Sequence, residues 1–239
     1  PETCPRPPSH LGHALIVDLL LSSGFLAFAR HLGFLDGIAA RSLEAEAIVG
    51  TSSGAMVAAL HLAGHSCDDI SAELSDRAPL WDLRPSITPW RGAFSLAHVQ
   101  HRLSSLMPAT FSELPRPLAV GVVGADGQHR LVTKGDLPAA VMASCAMPHI
   151  FGAIDVDGQV CHDGGAKDRL AVDAWRQWRP GRTGIAHWVD RTAGQDVPSD
   201  LSGITVVRTP RSGAKLWSLG DFEGQRSEAR KLTEQALVD

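Results

Sequence analysis

The chain has no uninterrupted apolar run long enough to cross a bilayer, which excludes a transmembrane helix and leaves a globular composition, 44% hydrophobic and 20% charged. It has no surplus of positive charge. Its 22 Lys and Arg against 26 Asp and Glu give a net charge of −4, which offers no bulk attraction to nucleic acid, and no nucleic-acid partner is expected. Only four cysteines occur, Cys4, Cys67, Cys145 and Cys161, without a Cys-x-x-Cys pair, so neither a zinc site nor a disulfide framework is indicated and a reducing compartment fits. Among eleven histidines there is no His-Glu-x-x-His spacing, and His98 and His101 read as neighbours on one helix face. Neither a metal nor a cofactor is expected. No charged or low-complexity linker divides the 239 residues, so residues 13–239 read as a single catalytic domain. The start, Pro1-Glu2-Thr3-Cys4-Pro5-Arg6-Pro7-Pro8, has no initiating Met; residues 1–12 read as a disordered Pro-rich leader, and a targeting segment could already be missing.

What is present is a Gly-x-Ser-x-Gly motif in a telling setting. Gly50-Thr51-Ser52-Ser53-Gly54 follows the apolar run Ala47-Ile48-Val49 and precedes Ala55-Met56-Val57-Ala58-Ala59-Leu60. A strand that turns abruptly into an Ala-rich helix holds the middle residue in a tight turn, and glycines at Gly50 and Gly54 remove the Cβ atoms that would collide there. Ser52 is thereby offered as a nucleophile, with the unpaired N–H groups of the new helix facing it. A serine hydroxyl needs a base. Asp163, in Val160-Cys161-His162-Asp163-Gly164-Gly165 at the end of an expected strand, is one candidate, although an Asp-Gly pair is also an ordinary turn. His187 is the rival, because a conventional triad runs Ser, acid, His. It lies, however, inside the apolar run Ile185-Ala186-His187-Trp188-Val189. His149 and His162 flank the candidate segments and could line a pocket.

Elsewhere the pattern alternates. His13–Leu21 reads as a buried strand interrupted by Asp18, Phe25–Ile38 as a helix ending near Gly37, and Ser66-Cys67-Asp68-Asp69 as a capped helix start. Pro117–Val123 and His129–Lys134 read as a hairpin, Asp136 as a helix cap, and Ile154–Cys161 as a second hairpin around Asp157-Gly158. Residues 186–189 and 204–207 read as late strands and 227–237 as a closing helix. The stretch 78–94, with Trp81, Trp90 and Phe94, reads as a loop whose aromatics either fold onto the core or form a lid or membrane-contacting edge. Such alternation predicts an α/β protein with a mostly parallel central sheet covered on both faces.

Three ordered blocks, Gly50-Thr51-Ser52-Ser53-Gly54, Ala143-Ser144-Cys145-Ala146-Met147-Pro148-His149-Ile150-Phe151 and Asp163-Gly164-Gly165, together resemble those of patatin-like phospholipases. The resemblance covers roughly Leu15 to Leu170. It implies a three-layer α/β/α patatin-like fold and a serine acyl hydrolase acting on phospholipid or related glycerolipid esters, with Ser52 as nucleophile and Asp163 as general base of a Ser-Asp dyad that needs no histidine. The implied partner is a lipid, met by transient contact with a membrane surface, and the implied location is cytoplasmic or peripheral to a membrane. One departure is visible. Where the family has a glycine-rich turn with a basic residue close behind, this chain has Ser22-Ser23-Gly24-Phe25-Leu26, and Ser23, Gly24 and Phe25 are the expected backbone donors of the oxyanion hole. A carboxylesterase triad and a catalytically impaired lipid-binding protein of the same fold remain the alternatives.

Overall fold

The apolar run that ends at Leu21 forms β1 (Leu15–Leu21), the run before the elbow forms β2 (Leu43–Thr51), and the two pair in parallel across α1 (Phe28–Ala40). The computed structural model describes residues 15–75, 84–85, 93–191 and 197–238. Residues 1–14 of the expected leader and first strand, and Trp81 and Trp90, lie outside them. After the elbow come α2 (Ser53–Leu62), α3 (Cys67–Ser75), a two-residue ladder of β3 (Arg84–Pro85) and β4 (Phe94–Ser95), and α4 (Ala97–Leu103). The chain continues through β5 (Leu118–Gly124), β6 (His129–Val132), α5 (Leu137–Cys145), β7 (Ile154–Val156), β8 (Gln159–Asp163), α6 (Val172–Trp178), β9 (Gly184–Val189), β10 (Ile204–Thr209) and α7 (Phe222–Ala236).

The main sheet runs β10-β9-β1-β2-β5-β8-β7, with β6 also on β5. From β10 to β5 every pairing is parallel, while β6, β8 and β7 are antiparallel. Short turns explain the difference: the β7–β8 connection needs only Asp157 and Gly158, both at positive φ, whereas the parallel pairs require helical crossovers. Alternate residues of each strand face opposite layers. Leu19, Leu21, Ile48, Val120 and Val122 pack with α1, α2 and α5. Leu20, Val49, Ala119, Ala186 and Trp188 pack with Trp175 of α6 on the other face. The architecture is therefore α/β/α.

Several boundaries differ from expectation for physical reasons. α1 begins at Phe28 rather than Phe25 because residues 22–27 make a turn in which Leu26 adopts φ 49°. Gly37 does not end that helix. A Cβ there would lie 2.5 Å from Thr233 Cβ, so this glycine, inside α1, lets α7 pack closely against it. α7 itself starts at Phe222, capped by the Asp221 carboxylate, which accepts from Gly224 N–H at 2.9 Å. The Asp136 and Ser66 caps form as the sequence predicts, with Ala139 N–H donating to Asp136 at 2.8 Å and Asp69 N–H to Ser66 Oγ at 3.1 Å. Asp18, the polar break in β1, is 1% exposed and accepts from Trp175 Nε1 at 2.9 Å and from Arg179 at 3.1 Å. It ties α6 to the sheet.

His187 of β9 is fully buried. Its Nδ1 lies 2.8 Å from Nδ1 of His31, its Nε2 2.9 Å from Thr209 Oγ1, and its ring stacks on Phe34. Burial holds both imidazoles neutral, pushing His31 down to about 3 and His187 well below its ordinary value. Both rings titrate near 6.5 when unfolded, so their contribution is complete above that pH and is lost as pH falls, the unfolded chain taking protons that the folded chain refuses. Chemical denaturation between pH 7 and 5 should show stability falling, with a shallower slope in His187→Gln. An equal slope in that variant would place the acid sensitivity elsewhere.

Candidate active site

The carboxyl ends of the parallel strands β1, β2 and β9 converge where such sheets bind ligands. At the end of β2 the chain reverses through Ser52, held at φ 55° and ψ −122°. Such a conformation is strained for a side-chain-bearing residue by about 1–3 kcal/mol, and three contacts hold it. Ser52 N–H donates to Ser144 Oγ at 2.8 Å, and Ser144, buried in α5, donates in turn to the Gly121 carbonyl at 2.6 Å. Gly54 presses on β1: a Cβ there would lie 2.5 Å from the Leu21 carbonyl oxygen. Ser53 Oγ donates to the Gly24 carbonyl at 2.7 Å, joining the elbow to the turn after β1.

Ser52 Oγ donates to Asp163 Oδ2 at 2.9 Å. Asp163 ends β8 and enters a 3-10 turn, Gly164–Ala166, in which Gly165 N–H donates to Asp163 Oδ1 at 2.7 Å. Gly165 must lack a side chain because a Cβ would sit 2.3 Å from Ser23 Oγ. Asp163 is 4% exposed. Burial raises its carboxyl to about 6, while the bonds from Ser52 and Gly165 and the Arg191 cation pull the other way. Cys145 also lines the site, but burial and the Asp163 charge keep its thiol protonated, which disfavours it as a rival nucleophile.

The turn after β1 corrects one expected donor. Ser23 N–H is engaged by the Arg169 carbonyl at 2.8 Å, and Ser22 N–H by the His187 carbonyl at 3.0 Å. Gly24 and Phe25 line the cavity, and among the described residues no backbone acceptor takes their N–H groups. The turn is clamped by a residue that the sequence did not single out. Arg169, 2% exposed, donates to the Ser23 carbonyl at 2.7 Å and to the Val189 carbonyl, approaches Ser23 Oγ at 3.3 Å and stacks 4.2 Å from the Trp188 ring. Arg191 adds a second bond to Ser23 Oγ at 2.9 Å. Two cations thus reach this turn from the far end of the sequence, where its own neighbours supply none.

Above Ser52 and Asp163 opens a cavity of about 560 Å³, within the size range of small-molecule sites. Its wall is mainly apolar, with Phe28, Met56, Leu103, Met147, Phe151 and Leu216 among the lining side chains. Phe94 is half-buried and bridges Phe151 through its backbone. His149 and His162 do not line this cavity. His187, with both ring nitrogens taken by His31 and Thr209, has none left for Ser52. His61 and His65 stand four residues apart, yet among the described residues no three His, Cys, Asp or Glu side chains gather as a metal site. Nor is any described helix long and apolar enough to cross a membrane.

The profile of the patatin-like phospholipase family matches residues 19–174. Uncharacterized NTE family proteins of Mycobacterium bovis and Mycobacterium tuberculosis are 31% identical over 161 residues, 65% of this chain and 44% of theirs. The chain therefore spans less than half the length of these curated relatives. Among solved structures, VipD from Legionella pneumophila superposes with a TM-score of 0.58 at 12% identity, covering 92% of this chain and 66% of that one. A chain of the heterodimeric ExoU–SpcU complex from Pseudomonas aeruginosa gives 0.50 at 14% identity, covering 94% and 51%. At these identities the likeness is one of fold.

The elbow brace can be tested directly. Ser144→Ala removes the acceptor of Ser52 N–H and the donor to the Gly121 carbonyl, and urea denaturation should show a loss of roughly 1–3 kcal/mol. Unchanged stability would mean that the elbow is held without this bridge.

Proposed function

Since the chain belongs to the patatin-like phospholipase family, we propose that it is a serine acyl hydrolase that cleaves fatty-acyl esters of phospholipids or related glycerolipids. The observation that carries the reading is the 2.9 Å bond from Ser52 Oγ to Asp163 at the floor of an apolar cavity. In the proposed reaction Ser52 Oγ attacks the ester carbonyl carbon while its proton passes to Asp163. The tetrahedral oxyanion is stabilised by the N–H groups of Gly24 and Phe25 and by the amino end of α2, each well-placed donor contributing roughly 3 kcal/mol. Collapse breaks the ester C–O bond, and Asp163 returns the proton to the departing alkoxide. Water then attacks the acyl carbon while Asp163 accepts its proton, and collapse breaks the acyl C–Oγ bond, releasing the fatty acid as Asp163 returns the proton to Ser52 Oγ.

A carboxyl raised to about 6 suits both directions of transfer, because it is ionised before attack and readily protonated during it. Arg169 and Arg191 act through Ser23: they fix the turn whose next two amides face the oxyanion. The apolar wall receives the acyl chain, which is why a lipid ester is favoured over a polar one. A triad through His187 is disfavoured by the full engagement of that ring. The substrate resides in a bilayer, so the working chain contacts a membrane surface transiently.

Release of free fatty acid from phosphatidylcholine and galactolipid micelles tests the reading. Asp163→Asn should lower turnover roughly 10²- to 10⁴-fold, and Ser52→Ala at least as far. Activity surviving in Asp163→Asn would remove Asp163 as base, and a folded wild-type chain without any activity would favour lipid binding alone. Turnover should also decline about tenfold per pH unit below about 6, as Asp163 becomes protonated.

The same carboxylate has a stability cost. Its folded value is raised above the ordinary 3.8, so ionisation penalises the folded state by about 3 kcal/mol above pH 6, and the penalty is relieved as pH falls toward 4. At pH 8 Asp163→Asn should therefore be more stable than wild type to urea. A less stable variant would show that the carboxylate is better accommodated than its burial implies.

A further inference from the structure

Among the described residues the exposed large apolar side chains are Phe25, Val160, Trp217 and Val238, and only two of these are aromatic. Both belong to segments that border the cavity. Phe25, 41% exposed, lines the cavity above Ser52, and Trp217, 67% exposed, follows Leu216, which lines the same cavity. The two segments are tied together, since Ser212 Oγ donates to the Leu26 carbonyl at 3.1 Å. Nor is Trp217 on a loose loop. Lys215 and Ser218 bond each other through both backbone pairs, at 2.6 and 3.1 Å, and Gly213 N–H donates to the buried Gln225 of α7 at 2.8 Å. A fixed turn thus presents an indole to solvent one residue from the cavity-lining Leu216, and the hydrophobic cost of that exposure is removed only when something covers it.

The charge around it points to the covering partner. Residues 204–219 carry Arg208, Arg211 and Lys215 and no acidic residue, in a chain whose net charge is −4; Arg208 is paired with Asp190 at 2.7 Å, so the cations set beside the cavity and the indole are Arg211 and Lys215. Lys215 Nζ lies 5.7 Å from the Trp217 ring, and Arg211 borders the cavity. An amphipathic aromatic beside cations is the composition that settles at the boundary between headgroups and acyl chains of an anionic bilayer.

We propose that Phe25, Trp217, Arg211 and Lys215 form the surface by which this chain docks on anionic lipid bilayers, with the cavity mouth turned toward the membrane. The assignment rests on the acyl-hydrolase reading only for what the cavity receives; docking itself requires no turnover.

The test uses the full chain carrying Ser52→Ala, so that binding is read without hydrolysis, with vesicles of phosphatidylcholine with and without phosphatidylglycerol. Co-sedimentation should be roughly tenfold stronger with the anionic lipid, and should drop roughly tenfold in Trp217→Ala and several-fold in Lys215→Glu. Brominated acyl chains should quench tryptophan emission, and that quenching should shrink in Trp217→Ala. Binding unaltered by both substitutions, or absence of binding to either vesicle by a folded chain, overturns the proposal. A wild-type chain that docks on the same vesicles yet releases no fatty acid would instead count against the hydrolase reading alone.

Discussion

Ser52 sits at φ 55° at the end of a buried strand, and the surrounding architecture can be understood as what keeps it there. β2 lies between β1 and β5, so the elbow cannot shift along the sheet without breaking two parallel ladders. Each neighbour then contributes one restraint: Ser144 takes the strained N–H, Gly54 permits contact with Leu21, and Ser53 reaches the turn after β1. Strain of this kind persists only where several elements fix it at once. Here α2, α5, the end of β1 and the middle of β5 all contribute.

The electrostatics follow from the same crowding. Bringing Asp163 within hydrogen-bonding reach of Ser52 buries a carboxylate, and burial raises its titration toward neutrality. Arg169 and Arg191 stand nearby, but their hydrogen bonds go to Ser23 and, from Arg169, to Val189 rather than to the carboxylate. Had either formed a direct pair with Asp163, the acid would be held ionised and be a poorer proton acceptor. Separating the cations from the carboxylate leaves the Asp163 carboxylate bonded to Ser52 and Gly165 and the cations to hold the turn, as the proposed proton transfer requires.

Much of this was legible in the sequence, and what was missed shares one property. The strand–turn–helix around Ser52, the hairpins at Asp126-Gly127 and Asp157-Gly158, and the caps at Ser66 and Asp136 are local, so neighbouring residues report them. Arg169 lies 146 positions from Ser23, and Ser144 lies 92 from Ser52; no periodicity or spacing links such partners before the chain folds. Gly37 misled for the same reason, since its role is set by Thr233 on a distant helix rather than by its own helix end. Ser23 was expected as a donor because every residue except proline has an N–H, yet direction decides, and its N–H points to Arg169.

In the proposed reaction Ser52 is a nucleophile activated by Asp163. The most direct measurement is covalent labelling by a fluorophosphonate, which reacts only with an activated serine, followed by mass mapping of the adduct. The account predicts one adduct, on Ser52, and its loss in folded Asp163→Asn. An adduct on another residue, or equal labelling of Ser52 in that variant, would contradict it.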